Sequence, residues 1–221
     1  MKNGICYIVG AGAFKEEIAP CSTDYLIAAD GGYDNIDRKK HRIDAVMGDF
    51  DSLGRVPDHP NLIRHPAEKD DTDMMLAVSY AYELGYRKFL LFGGLGGRLD
   101  HTLANLQTLL WISENHASGY LIGEGMIIGT VTDSEYLFTG AESGILSIFP
   151  AYNKASGVYL TNLKYTLDNA VLNAARALAV SNEFIGLPAK VRVDSGTLLM
   201  LWYENFEDRK GAVYENWRRD I

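Results

Sequence analysis

The sequence predicts an α/β fold with a mostly parallel sheet and helices in its first half, followed by a second domain that is all β. In the first half, short apolar runs alternate with amphipathic segments, which is typical of βα units. After about residue 118 the apolar residues follow a strand-like period, and glycines separate the short runs. We therefore divide the 221 residues into domains at 1–120 and 121–221.

Four short apolar runs in the first domain are predicted to be strands. They lie at Ile5–Val9, Tyr25–Ala29, Ala45–Gly48 and Lys88–Phe92. In the second domain, alternation of valine with charged residues over 190–194 indicates a half-buried strand, and the apolar run Thr197–Tyr203 indicates a central one. The chain becomes highly charged from Glu204 to Ile221, and we assign this tail no function.

Two segments of the first domain have the periodicity of helices. The apolar stripe of Asp71–Leu84 comprises Met75, Leu76, Val78, Tyr80, Tyr82 and Leu84. That of the second segment, Leu99–Ser113, comprises Leu99, Leu103, Leu106 and Leu110. Because such spacing places side chains on one face of a helix, we expect both stripes to face the core.

Charge and cysteine content exclude several classes of protein. The chain carries 21 basic and 29 acidic side chains, a formal net charge of −8, which disfavours general binding to nucleic acid or to an anionic membrane surface. Charged residues interrupt every uncharged stretch before the roughly 18 residues needed to span a bilayer. Cys6 and Cys21 fit neither a disulfide framework nor a zinc motif. We therefore expect a cytoplasmic protein without nucleic-acid or membrane partners.

Polar clusters follow the predicted strands of the first half. They are Asp30-Gly31-Gly32, Gly48-Asp49-Phe50-Asp51-Ser52, Glu68-Lys69-Asp70-Asp71-Thr72-Asp73 and the run from Gly93 to His101. Three of them begin where an apolar strand ends, and the other opens a helix. Since the carboxyl ends of parallel strands share one edge of a sheet, we expect the clusters to converge in a ligand-binding crevice.

Acidic residues are concentrated between Asp44 and Asp73, where eight carboxylates accompany three basic side chains. Bringing carboxylates together costs on the order of 1 kcal/mol per close pair in water, and a divalent cation relieves that repulsion. Asp49, Asp51 and Asp73 form an all-oxygen set of the kind that Mg²⁺ prefers. Each alone could instead be a turn or cap residue; the combined set favours a metal site.

A glycine-rich run, Gly93–Gly97, precedes Arg98 and a helix. Glycines allow backbone N–H groups to approach a phosphate, and the guanidinium of Arg98 matches phosphate oxygens. A plain strand-to-helix turn would also need glycines. The Gly10-Ala11-Gly12 turn lacks the third small residue of the dinucleotide fingerprint, because Lys15 stands there. The sequence thus favours phosphate binding and not NAD binding.

Together, these clusters and a Ser181-Asn182-Glu183-Phe184 block resemble the thiamine pyrophosphokinase (thiamine diphosphokinase) family. The resemblance implies a Rossmann-like N-terminal α/β domain that binds ATP and Mg²⁺. It also implies a C-terminal all-β sandwich that binds thiamine and forms a homodimer. The implied reaction moves the pyrophosphoryl group of ATP to the hydroxyl of thiamine, giving thiamine diphosphate and AMP. The Gly10–Gly12 turn and the tail beyond Tyr203 have no place in the family pattern.

Each candidate residue has an expected role in this reaction. Asp49, Asp51 and Asp73 are expected to hold Mg²⁺ against the phosphates. Asp100 either ligates metal or accepts the proton of the thiamine hydroxyl, and Arg98 completes the catalytic set. On the ATP side the expected binding residues are Asp30, Gly31, Lys69, Asp70, Thr72, Gly94, Gly96 and Gly97. On the thiamine side they are Ser181 and Asn182, for which a β-turn is the alternative.

Two other functions compete with this interpretation. Asp49-Phe50-Asp51 after an apolar strand is similar to the Asp-x-Asp motif of haloacid-dehalogenase-like phosphatases, although Leu53 stands where that family has Thr or Val. A Mg²⁺-dependent phosphohydrolase is therefore one alternative. The other is a noncatalytic protein that binds thiamine or a nucleotide and retains the fold.

Overall fold

The computed structural model describes residues 1–51, 53–66, 68, 70–139 and 143–203. The chain forms two compact units, Met1–Glu124 and a second that begins at Gly125. The first unit thus ends four residues beyond the predicted limit at residue 120. The charged tail lies outside the described residues.

The described part of the first unit is a parallel sheet with helices. Its strands are β1 (Cys6–Val9), β2 (Tyr25–Ala29), β3 (Ala45–Gly48), β4 (Leu62–Arg64), β5 (Lys88–Phe92) and β6 (Ser118–Gly123). Its helices are α1 (Gly32–Asn35), α2 (Asp73–Glu83) and α3 (Leu99–Glu114). The strand order is β6-β5-β1-β2-β3-β4, and every neighbouring pair is parallel. The predicted parallel α/β arrangement is confirmed.

The centre of this sheet is apolar on both faces. All four residues of β1 and four of the five in β5 are buried. The chain leaves β1 toward β2 on one side and β5 toward β6 on the other, so the direction of strand addition reverses between β1 and β5. Open α/β sheets bind ligands at the carboxyl ends of strands beside such a reversal.

The predicted strands of the first unit agree closely with the structure, whereas α1, β4 and β6 were not predicted. The sequence analysis assigned residues after about 118 to the all-β domain, so β6 was not expected in the parallel sheet. β2, β3 and β5 have the predicted bounds, and β1 begins one residue later than expected. The unpredicted β4 is three residues long, and none of them is buried. The unpredicted α1 is a single turn of four residues. Elements this short carry too little periodicity to be recognised.

The faces that both long helices bury differ from the predicted apolar stripes. Leu99 and Leu103 on α3 are 71% and 54% exposed. The residues that α3 buries are Asn105, Thr108, Leu109 and Ile112. Two polar side chains can occupy the core face because Asn105 donates to the carbonyl of Gly94 at 2.8 Å and Thr108 to that of Ala104 at 3.1 Å.

A similar shift occurs on α2. Its buried residues are Met74, Ala77, Val78 and Ala81, so Val78 is the one buried member of the predicted stripe. Two of the four are alanines, which let the helix approach the sheet closely, while Leu76 and Tyr80 stay half-exposed at the margin of the buried face. The spacing of apolar residues predicted where both helices lie in the sequence, but not which face of each helix is buried.

The described part of the second unit consists of eight strands. They are β7 (Met126–Thr132), β8 (Glu135–Phe138), β9 (Ile145–Pro150), β10 (Lys154–Thr161), β11 (Leu167–Asn173), β12 (Ala179–Glu183), β13 (Ala189–Ser195) and β14 (Thr197–Tyr203). They form two antiparallel groups, β12-β9-β14-β7 and β11-β10-β13-β8. The ring of Phe138 on β8 meets that of Trp202 on β14 at 5.2 Å. The predicted all-β sandwich is confirmed.

Among the described residues, no helix has both the length and the apolar character needed to cross a membrane.

A close backbone contact at Gly32 predicts a large loss of stability on substitution. A Cβ atom at this position would lie 1.8 Å from the carbonyl oxygen of Val9, so Gly32→Ala must displace α1 from β1. We expect a loss of at least about 3 kcal/mol in the free energy of unfolding, the upper range for overpacking, measured by urea denaturation.

Gly54→Ala is the matched control. Gly54 has a φ of +61°, and a Cβ atom there would have no neighbour within 4 Å, so the cost is backbone strain of about 1 kcal/mol. Equal losses in the two variants would contradict the steric argument.

Candidate active site

Three aspartates from different elements meet at the carboxyl edge of the first unit's sheet. Asp30 follows β2 and Asp49 follows β3, and these strands are parallel neighbours. Asp73 is the first residue of α2. One carboxylate oxygen from each aspartate lies within 4.8 Å of the other two, and all three residues are partly buried. The predicted convergence of sequence-distant acids therefore occurs.

Backbone geometry positions the first of these carboxylates. Asp30 adopts a left-handed conformation with φ of 46°. Its N–H donates to the carbonyl of Met47 on β3 at 2.7 Å. Asp tolerates this conformation better than most residues do. The strand therefore ends by turning Asp30 across the neighbouring strand, beside Asp49.

Helix capping positions the third carboxylate. The Thr72 hydroxyl accepts a hydrogen bond from the backbone N–H of Met75 at 3.2 Å and is the N-cap of α2. Asp73 then lies in the first helical turn, where the positive end of the helix dipole favours an anion. Thr72, which was expected to support the site, fixes the start of this helix.

Asp51, predicted as the third metal ligand, lies outside this cluster. Phe50 has φ of 67° and a side chain that is 3% exposed, so the chain reverses direction between Asp49 and Asp51. Asp51 is exposed, and its backbone N–H donates to Oδ1 of Asp49 at 3.1 Å. The structure thus places Asp30 where the sequence analysis expected Asp51. Asp30, like Asp49, directly follows a predicted strand, and this position in the sequence could have identified it as a candidate ligand.

The chemistry of Asp30, Asp49 and Asp73 suits Mg²⁺. All donors are carboxylate oxygens, and Mg²⁺ binds a few carboxylates while keeping other positions for water and phosphate. Octahedral ligands at about 2.1 Å from the ion lie up to about 4.2 Å apart, close to the spacing found here. A bound divalent cation would also relieve the repulsion among three partly buried anions.

The glycine-rich run after β5 packs against the turn after β1. The N–H of Gly12 donates to the carbonyl of Gly93 at 2.9 Å, and a Cβ at Gly93 would lie 2.5 Å from the carbonyl oxygen of Gly10. Only a residue without a side chain allows this approach. The Gly10–Gly12 turn, which fits no phosphate motif, therefore forms one wall of the crevice between β1 and β5.

Within this run, Gly94 is held by a hydrogen bond, whereas Gly97 at the other end is open to solvent. The carbonyl of Gly94 accepts the hydrogen bond from the buried Asn105. Gly96 and Gly97 have φ of 74° and 63°, and the position beside Gly97 is open to solvent. The three glycines expected to bind phosphate thus lie together on one loop at the sheet edge.

Arg98 and Asp100 form an exposed, two-pronged ion pair. Nε and Nη2 of Arg98 donate to the two oxygens of Asp100 at 3.1 and 2.6 Å. These hydrogen bonds lower the pKa of Asp100 to about 2 and raise the pKa of Arg98. Both roles left open for Asp100, metal ligand and proton acceptor, stay predictions.

The remaining ATP-side candidates are distributed around this edge. Gly31 lies between Asp30 and α1, and Asp70 is exposed ahead of α2. Lys69, expected to bind phosphate oxygens, lies outside the described residues. These three positions stay predictions.

Asn182, a predicted thiamine contact, is buried and holds the backbone of Tyr165. Asn182 is 2% exposed. Its Oδ1 accepts from the N–H of Tyr165 at 2.9 Å and its Nδ2 donates to the carbonyl of Tyr165 at 2.6 Å. The side chain therefore secures the backbone of Tyr165, and the thiamine contact of Asn182 stays a prediction. Ser181 is exposed with φ of 57°, and its thiamine contact stays a prediction.

Sequence reasoning missed His65 at the same edge. His65 follows β4, and its N–H donates to the carbonyl of Gly48 at 3.0 Å, which extends the pairing of β3 and β4. The Nε2 atom is buried and has no hydrogen-bond partner among the residues that the structure describes. Recognising β4 from the sequence would have placed His65 opposite Asp49.

The ion pair predicts how the titration of Asp100 responds to substitution. In Arg98→Gln, loss of the guanidinium should raise the pKa of Asp100 from about 2 toward 3.8, its ordinary value. In the unmodified protein, Asp100 is mostly ionised above about pH 2. In the variant, ionisation of Asp100 should require a higher pH, closer to 3.8. Carboxyl chemical shifts followed by NMR between pH 1.5 and 6 measure this. Arg55→Gln, on an exposed arginine elsewhere, should leave the value unchanged.

The carboxylate cluster predicts which aspartates bind the metal. Asp30→Asn should weaken binding of Mn²⁺, a spectroscopic substitute for Mg²⁺, at least tenfold, because one anionic ligand is lost. Asp51→Asn should have a smaller effect, since its carboxylate lies outside the cluster. Electron paramagnetic resonance titration of free Mn²⁺ gives both affinities. A larger loss in Asp51→Asn would favour the ligand set expected from the sequence.

Both units of the chain match known protein domains. Residues 21–121 match the family model for the thiamin pyrophosphokinase catalytic domain, and residues 135–198 match the thiamin pyrophosphokinase vitamin B1 binding domain. The three clustered aspartates fall within the first match.

Individual relatives extend over most of the chain. A thiamine pyrophosphokinase from Bacillus subtilis is 31% identical over 163 residues, covering 71% of this chain and 76% of that protein. A crystal structure of thiamine pyrophosphokinase from Bacillus subtilis has a TM-score of 0.79 at 27% identity, covering 91% of this chain and 99% of that one. One from Geobacillus thermodenitrificans has a TM-score of 0.75 at 28% identity, covering 91% and 98%. With this extent of similarity in both units, the chain belongs to the thiamine pyrophosphokinase family.

Proposed function

We propose that this protein transfers the pyrophosphoryl group of ATP to the hydroxyl of thiamine, producing thiamine diphosphate and AMP. The observation that carries the proposal is the meeting of Asp30, Asp49 and Asp73 at the sheet edge, inside the span that matches the catalytic domain. The second matched span supports thiamine as the acceptor.

The reaction makes defined demands on this site. The thiamine hydroxyl oxygen attacks the β-phosphorus of ATP, the bond from that phosphorus to the α,β-bridging oxygen breaks so that AMP leaves with that oxygen, and the hydroxyl proton passes to water. Charge on three phosphates must be neutralised while the alcohol is held in line with the departing AMP. Catalysis of this kind depends mainly on positioning and electrostatic stabilisation.

Asp30, Asp49 and Asp73 are proposed to hold Mg²⁺. The ion supplies positive charge to the phosphate oxygens and orients them. The dipole of α2 and the backbone around Asp30 keep the carboxylates in place. Asp51, exposed beyond Phe50, stays a proposed site residue whose contribution the Mn²⁺ titration compares with that of Asp30.

The loop after β5 is proposed to bind the phosphates. Gly96 and Gly97 are exposed on this loop, Gly94 is buried at its start, and Arg98 carries further donors. Two N–H groups of Arg98 donate to Asp100, and the remaining N–H groups of the guanidinium can donate to an oxygen of the substrate. Asp100 is therefore proposed to orient Arg98 and to remain ionised. Lys69 is proposed to add a second cation.

The second unit is proposed to supply the thiamine site, a homodimer interface and the contact from Ser181. The match to the vitamin B1 binding model supports the first of these. A cytoplasmic location is also proposed. The free thiols of Cys6 and Cys21 are typical of a reducing compartment.

The test is product analysis with the purified full chain. With ATP, Mg²⁺ and thiamine, we expect AMP and thiamine diphosphate in equal amounts, measured by chromatography. Omitting thiamine should stop AMP release, because the acceptor is then missing.

Two other outcomes would contradict the proposal. Release of inorganic phosphate without thiamine would indicate the phosphohydrolase. Tight binding of ATP or thiamine with no AMP formed under any metal concentration would indicate a noncatalytic binding protein.

A further inference from the structure

Asn35, the last residue of α1, holds the turn after β1 through its side-chain amide. Its Nδ2 donates to the carbonyl of Gly10 at 3.0 Å and to that of Gly12 at 3.1 Å. An amide nitrogen carries two N–H groups, so both are used on this one turn. We propose that Asn35 is a positioning residue that keeps the glycine-rich loop after β5 in place for the phosphates. This inference rests on the proposed function and concerns how its phosphate loop is held.

The Gly10–Gly12 turn fits closely against the base of the glycine-rich loop. The N–H of Gly10 donates to the carbonyl of Phe92 at 2.8 Å, and that of Gly12 to the carbonyl of Gly93 at 2.9 Å. A Cβ atom at Gly12 would lie 2.5 Å from the carbonyl oxygen of Gly93, and one at Gly93 would lie 2.7 Å from that of Gly12. Because the two backbones touch with no side chain between them, a displacement of the turn must also displace Gly93.

A second asparagine fixes the loop one residue further on. Nδ2 of the buried Asn105 on α3 donates to the carbonyl of Gly94 at 2.8 Å. Side-chain amides from α1 and α3 thus restrain residues 93 and 94, the first through the turn and the second directly. Gly96 and Gly97 beyond them are exposed. A base fixed at two points limits the arrangements of the exposed backbone, which favours preorganised binding of an anion.

The short helix α1 connects Asn35 to the carboxylate cluster. Asp30 precedes α1 by two residues, and its carbonyl accepts a hydrogen bond from the N–H of Tyr33 at 3.1 Å. Gly32 lies so close to β1 that a Cβ atom there would be 1.8 Å from the carbonyl oxygen of Val9. The four residues of α1 therefore have little room to move. Through this rigid segment, Asn35 links the loop to one of the proposed metal ligands.

Pyrophosphoryl transfer depends on the placement of the loop relative to the metal, because both contact the same triphosphate. A displacement of about 1 Å can lower the rate by two orders of magnitude. Loss of the Asn35 amide should therefore impair steps that involve ATP and spare the binding of thiamine and of the metal alone. A residue that only stabilised the fold would not separate these quantities.

The test uses Asn35→Ala, which removes both donors and adds no charge. The kcat/KM for ATP, measured by AMP release from the full chain, should fall at least tenfold. The KM for thiamine and the Mn²⁺ affinity without nucleotide should stay within twofold, because Asp30 and the start of α2 are held by hydrogen bonds of their own. Equal losses in all three quantities, or an unchanged kcat/KM for ATP, would overturn the inference.

Asn35→Asp is a second variant that keeps the size of the side chain. A carboxylate cannot donate to the carbonyls of Gly10 and Gly12 and repels them, so the loss should be at least as large as in Asn35→Ala. A loss confined to Asn35→Asp would show an effect of added negative charge alone and would contradict a role for the two hydrogen bonds.

Asn115→Ala is the matched control. Asn115 caps the C-terminus of α3, at the end of the helix away from the loop, and its Nδ2 donates to the carbonyl of Trp111 at 2.8 Å. This variant loses an amide hydrogen bond of the same kind and should keep kcat/KM for ATP within twofold. A tenfold loss here as well would indicate a general effect of stability and overturn the inference.

Hydrogen exchange followed by NMR tests transmission through the turn. The amide of Gly12, which donates to Gly93, should exchange at least tenfold faster in Asn35→Ala than in the unmodified protein. The amide of Met75, which donates to the Thr72 hydroxyl at the start of α2, should exchange at the same rate in both. Unchanged exchange at Gly12 would contradict the proposed positioning.

Binding of inorganic tripolyphosphate with Mg²⁺ separates this inference from the proposed function, since it involves the loop without any transfer. At least fivefold weaker binding in Asn35→Ala, measured by calorimetry, in a protein that never forms AMP would support the positioning role and refute the pyrophosphokinase. Normal AMP formation in both Asn35 variants would support the proposed function and overturn the inference.

Discussion

Repulsion among three carboxylates at one edge of a parallel sheet is the constraint that organises this protein. Asp30, Asp49 and Asp73 are held within 4.8 Å of one another, at a cost on the order of 1 kcal/mol per pair in water and more when partly buried. Pairing of β2 with β3 and docking of α2 against them impose that arrangement. A divalent cation bound between the three carboxylates would offset this repulsion.

The glycine-rich loop after β5 lies at the same edge of the sheet as this cluster. It carries Arg98, whose guanidinium donates two hydrogen bonds to Asp100. The Gly10–Gly12 turn packs directly against this loop, since a Cβ atom at Gly93 would lie 2.5 Å from the carbonyl oxygen of Gly10. Close backbone packing therefore supports the loop from one side.

In the first unit, the two long helices and the most apolar strands could be predicted from local sequence. The run Lys88–Phe92 and the segment beginning at Leu99 are examples, because burial of apolar residues dominates their placement. The buried faces of α2 and α3 could not be predicted from local sequence. Asn105 lies in the core because a carbonyl of the glycine-rich loop needs a donor there, and Leu103 lies outside. The hydrogen bond between Asn105 and Gly94 therefore had more influence on the buried face of α3 than the spacing of its leucines.

The sequence by itself determined the order of the central strands and long helices of the first unit, the family, and the gathering of acidic and glycine-rich turns at one edge, since these depend on local pattern and on the rule that parallel strands share their carboxyl ends. Tertiary structure alone decided which acids meet. Asp51 stands two residues from Asp49, yet the left-handed Phe50 turns it outward, while Asp30 reaches the cluster through a neighbouring strand. Distance along the chain does not set distance in space, because strand register and a single backbone angle intervene.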